Sequence, residues 1–174
     1  ENFLDQVPRA GSNHPATLEM FQEIGLYDRL EARGLIAPHF QYRDRRNNRL
    51  IAEFDHAVIA EETRFPFVLQ CERIKIIEEA MALARTYANC DLRMATTLLG
   101  FSQDEQGIVA TIENAAGETE NITAAFIIGA EGGRSVVRKC LGIDFEGFTY
   151  PDRVLNIIVS HDFTRDGFTD RNYV

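Results

Sequence analysis

The stretch AFIIGAEGGRSVVRKCLG, residues 125–142, joins an apolar run to a glycine-rich turn and a short helical pattern. The apolar run at 125–129 predicts a strand buried on both faces of a parallel sheet, beside a helix at about 71–88. The glycines let backbone approach a ligand closely, and the N–H groups that open the helix at 134–141 favour an anion. Glu131 is placed to accept hydrogen bonds from a ribose or from water. The stretch therefore predicts an α/β domain with a ligand at this turn, the alternative being a structural corner without one.

Helical and strand patterns alternate along the rest of the chain. The predicted elements are a helix at about 15–34 interrupted at Gly25, a hairpin at 40–54, a strand at 65–69, a helix at 71–88, an antiparallel meander with strands at 92–99, 108–113 and 119–123, and a last strand at 153–160. In the helix at 71–88, the helical period predicts a core-facing side formed by Ile74, Ile77, Met81 and Ala84.

Composition excludes several classes of protein. The 174 residues carry 18 Lys and Arg against 27 Asp and Glu, a net charge of −9, which argues against a nucleic-acid partner or an anionic membrane surface. No apolar run reaches the length of a membrane span. The four histidines have no metal-ligand spacing, so no metal site is predicted. Cys71, Cys90 and Cys140 form no C-x-x-C pair, which predicts free thiols and a cytoplasmic protein.

Three ordered blocks resemble one family of enzymes. The blocks are GAEGGRSVVRKCLGI at 129–143 followed by Phe145-Glu146-Gly147, Arg9-Ala10 with HPATLE at 14–19, and FPFVLQCE at 65–72. Together they resemble the class A flavoprotein monooxygenases, the FAD-dependent aromatic hydroxylases, and are similar to the phenol and 3-(3-hydroxyphenyl)propionate hydroxylase branch. The family's opening G-x-G-x-x-G and its later Gly-Asp motif are missing. The chain is therefore expected to be a central piece of a longer enzyme, inactive by itself.

The resemblance implies a fold and a division of the chain. It implies an α/β fold, namely a partial FAD-binding Rossmann-like domain of the glutathione-reductase type with part of a substrate-side β-sheet. Residues of about 1–35 and 70–150 would belong to the FAD domain. Residues of about 36–69 and 151–174, including the hairpin, would belong to the substrate side.

The resemblance also implies cofactor contacts at matching positions. Arg9 corresponds to the arginine on the FAD diphosphate, and Gln70 to the glutamine that hydrogen-bonds the ribityl or diphosphate region. Glu131, followed by Gly132, stands where the family carries Asp, and its side chain is one methylene longer. Glu1 corresponds to the acidic residue at the adenosine ribose. No catalytic side chain is identified, which favours chemistry done by a bound cofactor.

The implied activity is hydroxylation of a small phenolic or aromatic substrate, using FAD, O₂ and NAD(P)H as cosubstrate, through a flavin hydroperoxide. The resemblance allows a homo-oligomer and does not choose between NADH and NADPH. Two other readings stay open. One is a related FAD-fold oxidoreductase, such as a halogenase or reductase, and the other is a non-catalytic nucleotide-binding or interaction module.

Overall fold

The computed structural model describes residues 11–153, 155, 157, 159–168 and 171–174. The described residues form two compact units. The first unit contains the described residues within 11–92 and 155–174, and the second unit contains residues 93–153. Each unit is described by itself below.

Helices and short strands make up both units. The strands are β1 (Ser12–Asn13), β2 (Leu35–Ala37), β3 (His39–Arg43), β4 (Leu50–Asp55), β5 (Val68–Gln70), β6 (Thr97–Asp104), β7 (Gly107–Glu113), β8 (Thr119–Ala124) and β9 (Asn172–Tyr173). The helices are α1 (Pro15–Glu23), α2 (Tyr27–Glu31), α3 (Arg73–Ala84) and α4 (Val136–Cys140). This mixture of helices and small sheets agrees with the predicted α/β class.

The core of the first unit lies between its helices and a three-stranded sheet of order β1-β5-β2, which is antiparallel throughout. Gly25 separates α1 from α2, as predicted, and its φ of +71° is one that glycine adopts without strain. The buried core cluster contains Leu18, Leu26, Tyr27, Leu30, Phe65, Leu69 and Cys71. The fold therefore holds β5 against the paired helices.

Helix α3 packs on this cluster through a different side from the one predicted. Ile76, Ala80 and Leu83 pack against the core cluster. The predicted core face of Ile74, Ile77, Met81 and Ala84 is wrong, since none of these four residues packs against the core cluster. The helix is apolar on two sides, so its periodicity cannot decide which side meets the sheet.

The predicted hairpin is confirmed as part of a separate sheet, of order β4-β3-β9. Strands β3 and β4 are antiparallel, with Phe40 opposite Phe54, and β9 joins β3 in parallel, with Tyr173 opposite Tyr42. The rings of Phe40 and Phe54 stack at 4.8 Å between centroids, and those of Tyr42 and Tyr173 at 4.9 Å. One face of this sheet is therefore aromatic.

The second unit contains the predicted meander, a sheet of order β6-β7-β8 that is antiparallel throughout. Asn114 shapes the turn between β7 and β8, because its Oδ1 accepts from the backbone N–H groups of Ala116 at 2.9 Å and Glu118 at 3.1 Å. Gly117 completes the turn with a φ of +80°. Local turn chemistry thus accounts for the connection between β7 and β8.

The predicted strand at 125–129 is wrong. Strand β8 ends at Ala124, and the residues after it form no strand. Phe126 and Ile128 are 85% and 89% exposed. A buried strand requires neighbours on both edges, and no described strand pairs with this segment. The strand predicted at 153–160 is also not seen at its described residues, and positions 154, 156 and 158 lie outside them.

Within the described part of the chain, no helix is both long and apolar enough to cross a membrane.

The three cysteines are free thiols, as predicted; Cys71 is buried, whereas Cys90 and Cys140 are exposed.

Leu18→Ala should lower the free energy of unfolding by about 2–5 kcal/mol, because it removes a side chain with no exposed surface and leaves a cavity in the core. Chemical denaturation measures the change. Met20, on the same helix and 64% exposed, provides the control, since Met20→Ala should change stability by no more than about 0.5 kcal/mol. Equal losses for the two variants would contradict the assignment of this core.

Candidate functional site

Of the residues predicted to contact a cofactor, those that the structure describes lie in two places. Glu1 and Arg9 lie outside the described residues. Gln70 ends strand β5 in the first unit, whereas Glu131 and Gly132 follow β8 in the second unit. The structure thus yields two local sites, one around Gln70 and one around Glu131.

Gln70 lines a cleft of about 440 Å³ in the first unit. The other residues of this cleft are Gly11, Arg33, Gly34, Leu35, Cys71, Glu72 and Lys75. Gln70 is half-buried and lies directly opposite Ser12, whose hydroxyl donates to Gln70 Oε1 at 3.0 Å. Ser12 was missed by sequence reasoning, although it lies between the Arg9-Ala10 and HPATLE blocks of the resemblance.

A close approach of backbone forms one side of the cleft. The N–H of Cys71 donates to the carbonyl of Gly11 at 2.7 Å. A Cβ on Gly11 would lie 2.6 Å from the carbonyl oxygen of Cys71, so a larger residue cannot take this place without moving the backbone. Asn13, which is 8% exposed, adds hydrogen bonds from its Nδ2 to the carbonyls of Gly11 and Leu69. The backbone beside Gln70 is therefore tightly held.

Two cations and one carboxylate line the same cleft. Arg33 donates to Glu78 and Glu79, at 2.7 Å each, and these bonds raise the pKa of its guanidinium. Lys75 pairs with Glu72 at 2.6 Å and also donates to the carbonyl of Arg33 at 3.2 Å. Sequence reasoning missed Arg33, because its partners Glu78 and Glu79 lie more than forty positions further along the chain than Arg33 itself. The cations are held in place by these carboxylates.

Cys71, the remaining polar side chain of the cleft, is 1% exposed. Burial raises the pKa of its thiol, with smaller and partly opposing effects from the charges around it. A raised pKa disfavours the thiolate, which is the reactive form of cysteine. Its contribution is packing, as a member of the core cluster.

The carboxylate of Glu131 binds the start of α4. Its Oε1 accepts from the N–H of Val136 at 3.0 Å, and its Oε2 accepts from the N–H of Val137 at 3.2 Å and from the hydroxyl of Ser135. The Ser135 hydroxyl in turn accepts from the N–H of Arg138 at 3.1 Å. The hydrogen bond from Ser135, followed by those from the two backbone groups, lowers the pKa of Glu131.

The start of α4 differs from what the sequence predicts. The first N–H groups of α4 were expected to be open to an anionic ligand, but those of 136, 137 and 138 are taken by Glu131 and Ser135. The helix thus binds a carboxylate of its own chain at the position where an external anion was expected. Gly132 keeps the turn in shape, since its φ of +78° lies in the region that favours glycine.

Arg138 holds the segment after α4 against this turn. Its Nη1 donates to the carbonyl of Gly133 at 3.0 Å, and its guanidinium lies 4.7 Å from the centroid of the Phe145 ring. A cation over an aromatic face is attracted by the ring's negative charge density. The Phe145-Glu146-Gly147 element noted in the sequence therefore folds back onto the glycine-rich turn.

Glu131→Gln should lower the melting temperature at pH 7, because the neutral amide loses the charge and one of the oxygens that accept from α4. The pKa of Glu131 in the folded chain lies below its ordinary value of 4.5. Its contribution is therefore fully present above that pH and is lost as the pH falls through the lower folded value. Thermal unfolding of both proteins between pH 7 and pH 3 should show the two curves converging.

Glu61→Gln is the control, since Glu61 is exposed and makes no hydrogen bond within the described part of the chain. It should leave the melting temperature unchanged across this pH range. An equal melting temperature for Glu131→Gln and the wild type at pH 7 would contradict a capping role.

Comparison with known proteins identifies the family. A family profile described as FAD binding domain matches residues 3–173. Para-nitrophenol 4-monooxygenase of Pseudomonas sp. (strain WBC-3) is 29% identical over 100% of this chain and 43% of its own length. Pentachlorophenol 4-monooxygenase of Sphingobium chlorophenolicum is 30% identical over 88% of this chain and 28% of its own length.

A solved structure agrees with these relatives. The crystal structure of p-nitrophenol 4-monooxygenase from Pseudomonas putida DLL-E4 has a TM-score of 0.86 and 26% identity, covering 98% of this chain and 42% of that one. The chain spans less than half the length of these relatives. From the match over nearly all of its residues, the chain belongs to the FAD-binding domain family.

Proposed function

We propose that the protein carrying this chain is an FAD-dependent monooxygenase that hydroxylates a phenolic ring, with NAD(P)H as reductant and O₂ as oxidant. The observation that carries the proposal is the agreement along 98% of the chain with a p-nitrophenol 4-monooxygenase, at a TM-score of 0.86. Relatives that are named for pentachlorophenol and for 3-(3-hydroxyphenyl)propionate support a phenolic substrate class.

The donor set of the first unit's cleft fits part of an FAD molecule. The cleft combines the Gln70 amide with two cations, Arg33 and Lys75, and with the Glu72 carboxylate that pairs with Lys75. Amide N–H groups donate to hydroxyl or phosphate oxygens, and nearby cations favour a phosphate. Gln70 would hold the ribityl or diphosphate part of the cofactor, and Arg9 would hold the diphosphate through its guanidinium fork.

Two acidic residues have further proposed roles in binding the cofactor. The carboxylate of Glu131 is already bonded to the start of α4. Glu131 would therefore support FAD binding indirectly, by fixing the turn that also contains Gly132. Glu1 would accept hydrogen bonds from the adenosine ribose. When bound, FAD supplies the redox chemistry and the activation of O₂, and the protein's part is to bind and orient the cofactor and substrate and to exclude water.

The same proposal divides the chain between cofactor and substrate. Residues of about 1–35 and 70–150 would belong to the FAD domain, and those of about 36–69 and 151–174 to the substrate side. The pairing of β9 with β3 supports this grouping, since it joins the end of the chain to the hairpin in one sheet. The aromatic face of that sheet suits a flat phenolic substrate. Three free thiols favour a cytoplasmic location.

Activity of the full-length protein tests the proposal. Purified with FAD, it should oxidise NADH or NADPH faster when p-nitrophenol or another phenol is added, with matching uptake of O₂ and a hydroxylated product. A heat-treated sample and a non-aromatic alcohol serve as controls. Oxidation that no phenol stimulates, or that yields no hydroxylated product, would contradict the proposed reaction.

Arg9→Ala in the full-length protein should weaken FAD binding by about tenfold to somewhat over a hundredfold, because a hydrogen bond to a charged group contributes roughly 1.5–3 kcal/mol. Titration of the apoprotein with FAD, followed by quenching of flavin fluorescence, measures the change. Arg45→Ala, at an exposed arginine of the hairpin turn, is the matched control and should leave affinity unchanged. Equal affinities for the Arg9 variant and the wild type would indicate a surface ion pair instead.

A further inference from the structure

We propose that Ser12 is a positioning residue that orients the Gln70 amide for binding FAD. The inference rests on the proposed function, because it concerns how Gln70 is presented to the cofactor. Nothing in the resemblance or in the relatives' names assigns a role to Ser12. The observation that carries it is the hydrogen bond from the Ser12 hydroxyl to Gln70 Oε1, at 3.0 Å.

The register of the sheet brings these two side chains together. In the antiparallel pair of β1 and β5, Ser12 lies opposite Gln70 and Asn13 lies opposite Leu69. Residues directly opposite each other project from the same face of a sheet, with their Cβ atoms about 5 Å apart. The Ser12 hydroxyl therefore meets the Gln70 amide because of the pairing of the strands.

In the orientation that the structure shows, this bond leaves the Nε2 end of the amide for a ligand. A glutamine amide has one acceptor oxygen and two N–H donors. With Oε1 accepting from Ser12, the Nε2 group retains both donors, and no described residue accepts from it. Gln70 lines the cleft, so these donors are available for a hydroxyl or phosphate oxygen there. A reversed amide would donate one N–H to the Ser12 hydroxyl and offer its oxygen to the cleft, where that oxygen would repel a phosphate.

The backbone around Ser12 is rigid enough for this role. Gly11 is bonded to Cys71 through its carbonyl, and a Cβ at Gly11 would collide with that residue. Asn13 is buried and joined to the carbonyls of Gly11 and Leu69. Ser12 itself is exposed, so losing its hydroxyl leaves no buried group unsatisfied and should not unfold the chain.

A double-mutant cycle on the full-length protein tests the inference, with FAD affinity measured on apoprotein and a melting temperature taken for each variant. Gln70→Leu should raise the dissociation constant of FAD roughly three- to tenfold, and Ser12→Ala about two- to fivefold. If Ser12 acts through Gln70, the double variant should bind no more weakly than Gln70→Leu alone. Ser12→Thr, which keeps the hydroxyl, should restore affinity towards that of the wild type.

A matched control comes from the second unit. Thr111, on β7, makes the same kind of cross-strand bond, from its hydroxyl to Asn121 Oδ1 at 2.9 Å. Thr111→Val removes that bond without changing Gln70, and should leave FAD affinity unaltered. Any loss of affinity in this variant equal to that of Ser12→Ala would overturn the inference, because it would reflect a general effect of weakening a sheet.

The outcomes separate the inference from the function on which it rests. If Gln70→Leu weakens FAD binding and Ser12→Ala does not, the positioning role is wrong and the cofactor contact of Gln70 stands. If the two single effects add in the double variant, Ser12 acts independently of Gln70, which also overturns the inference. If neither variant changes affinity, the assignment of Gln70 as a cofactor contact fails as well.

Discussion

The close pairing of β1 with β5 at Gly11 is the constraint on which the cleft of the first unit depends. The carbonyl of Gly11 accepts from Cys71, and the space beyond its Cα is filled by the backbone of that same residue. This contact sets the register that places Ser12 opposite Gln70. On the other side of β5, Leu69 is fully buried in the core with α1 and α2. Packing and site geometry therefore depend on one strand pair.

The parts of the fold that depend on local chemistry could be predicted from the sequence. The turn between β7 and β8 is shaped by Asn114 and Gly117, which are its own residues, and Gly25 separates two helices by its own conformation. The core face of α3 could not be predicted, because that helix has apolar residues on two sides. The segment at 125–129 has the composition of a buried strand, but composition does not provide the neighbouring strands that would pair with it.

The candidate site, too, could be predicted from the sequence only in part. The resemblance pointed to Gln70 and Glu131, since motif positions can be matched along the chain. It could not indicate what these side chains contact. The carboxylate of Glu131 reaches Val136 and Val137, so a residue expected to face a cofactor is first a cap for its own helix. Arg33 and its partners Glu78 and Glu79 are distant in sequence, and only the packing of α3 beside α2 brings them together.

The sheet formed by β3, β4 and β9 has a consequence for the order of folding during synthesis. Strands β3 and β4 are joined by a short turn and can pair as soon as both have left the ribosome. Strand β9 begins at Asn172, and at about 5–20 residues per second it follows β3 by on the order of ten seconds. Until then the edge of β3 that β9 covers has unpaired backbone beside exposed aromatic rings. The nascent chain is thus open to pairing with other chains during this interval, when a chaperone would be of most use to it.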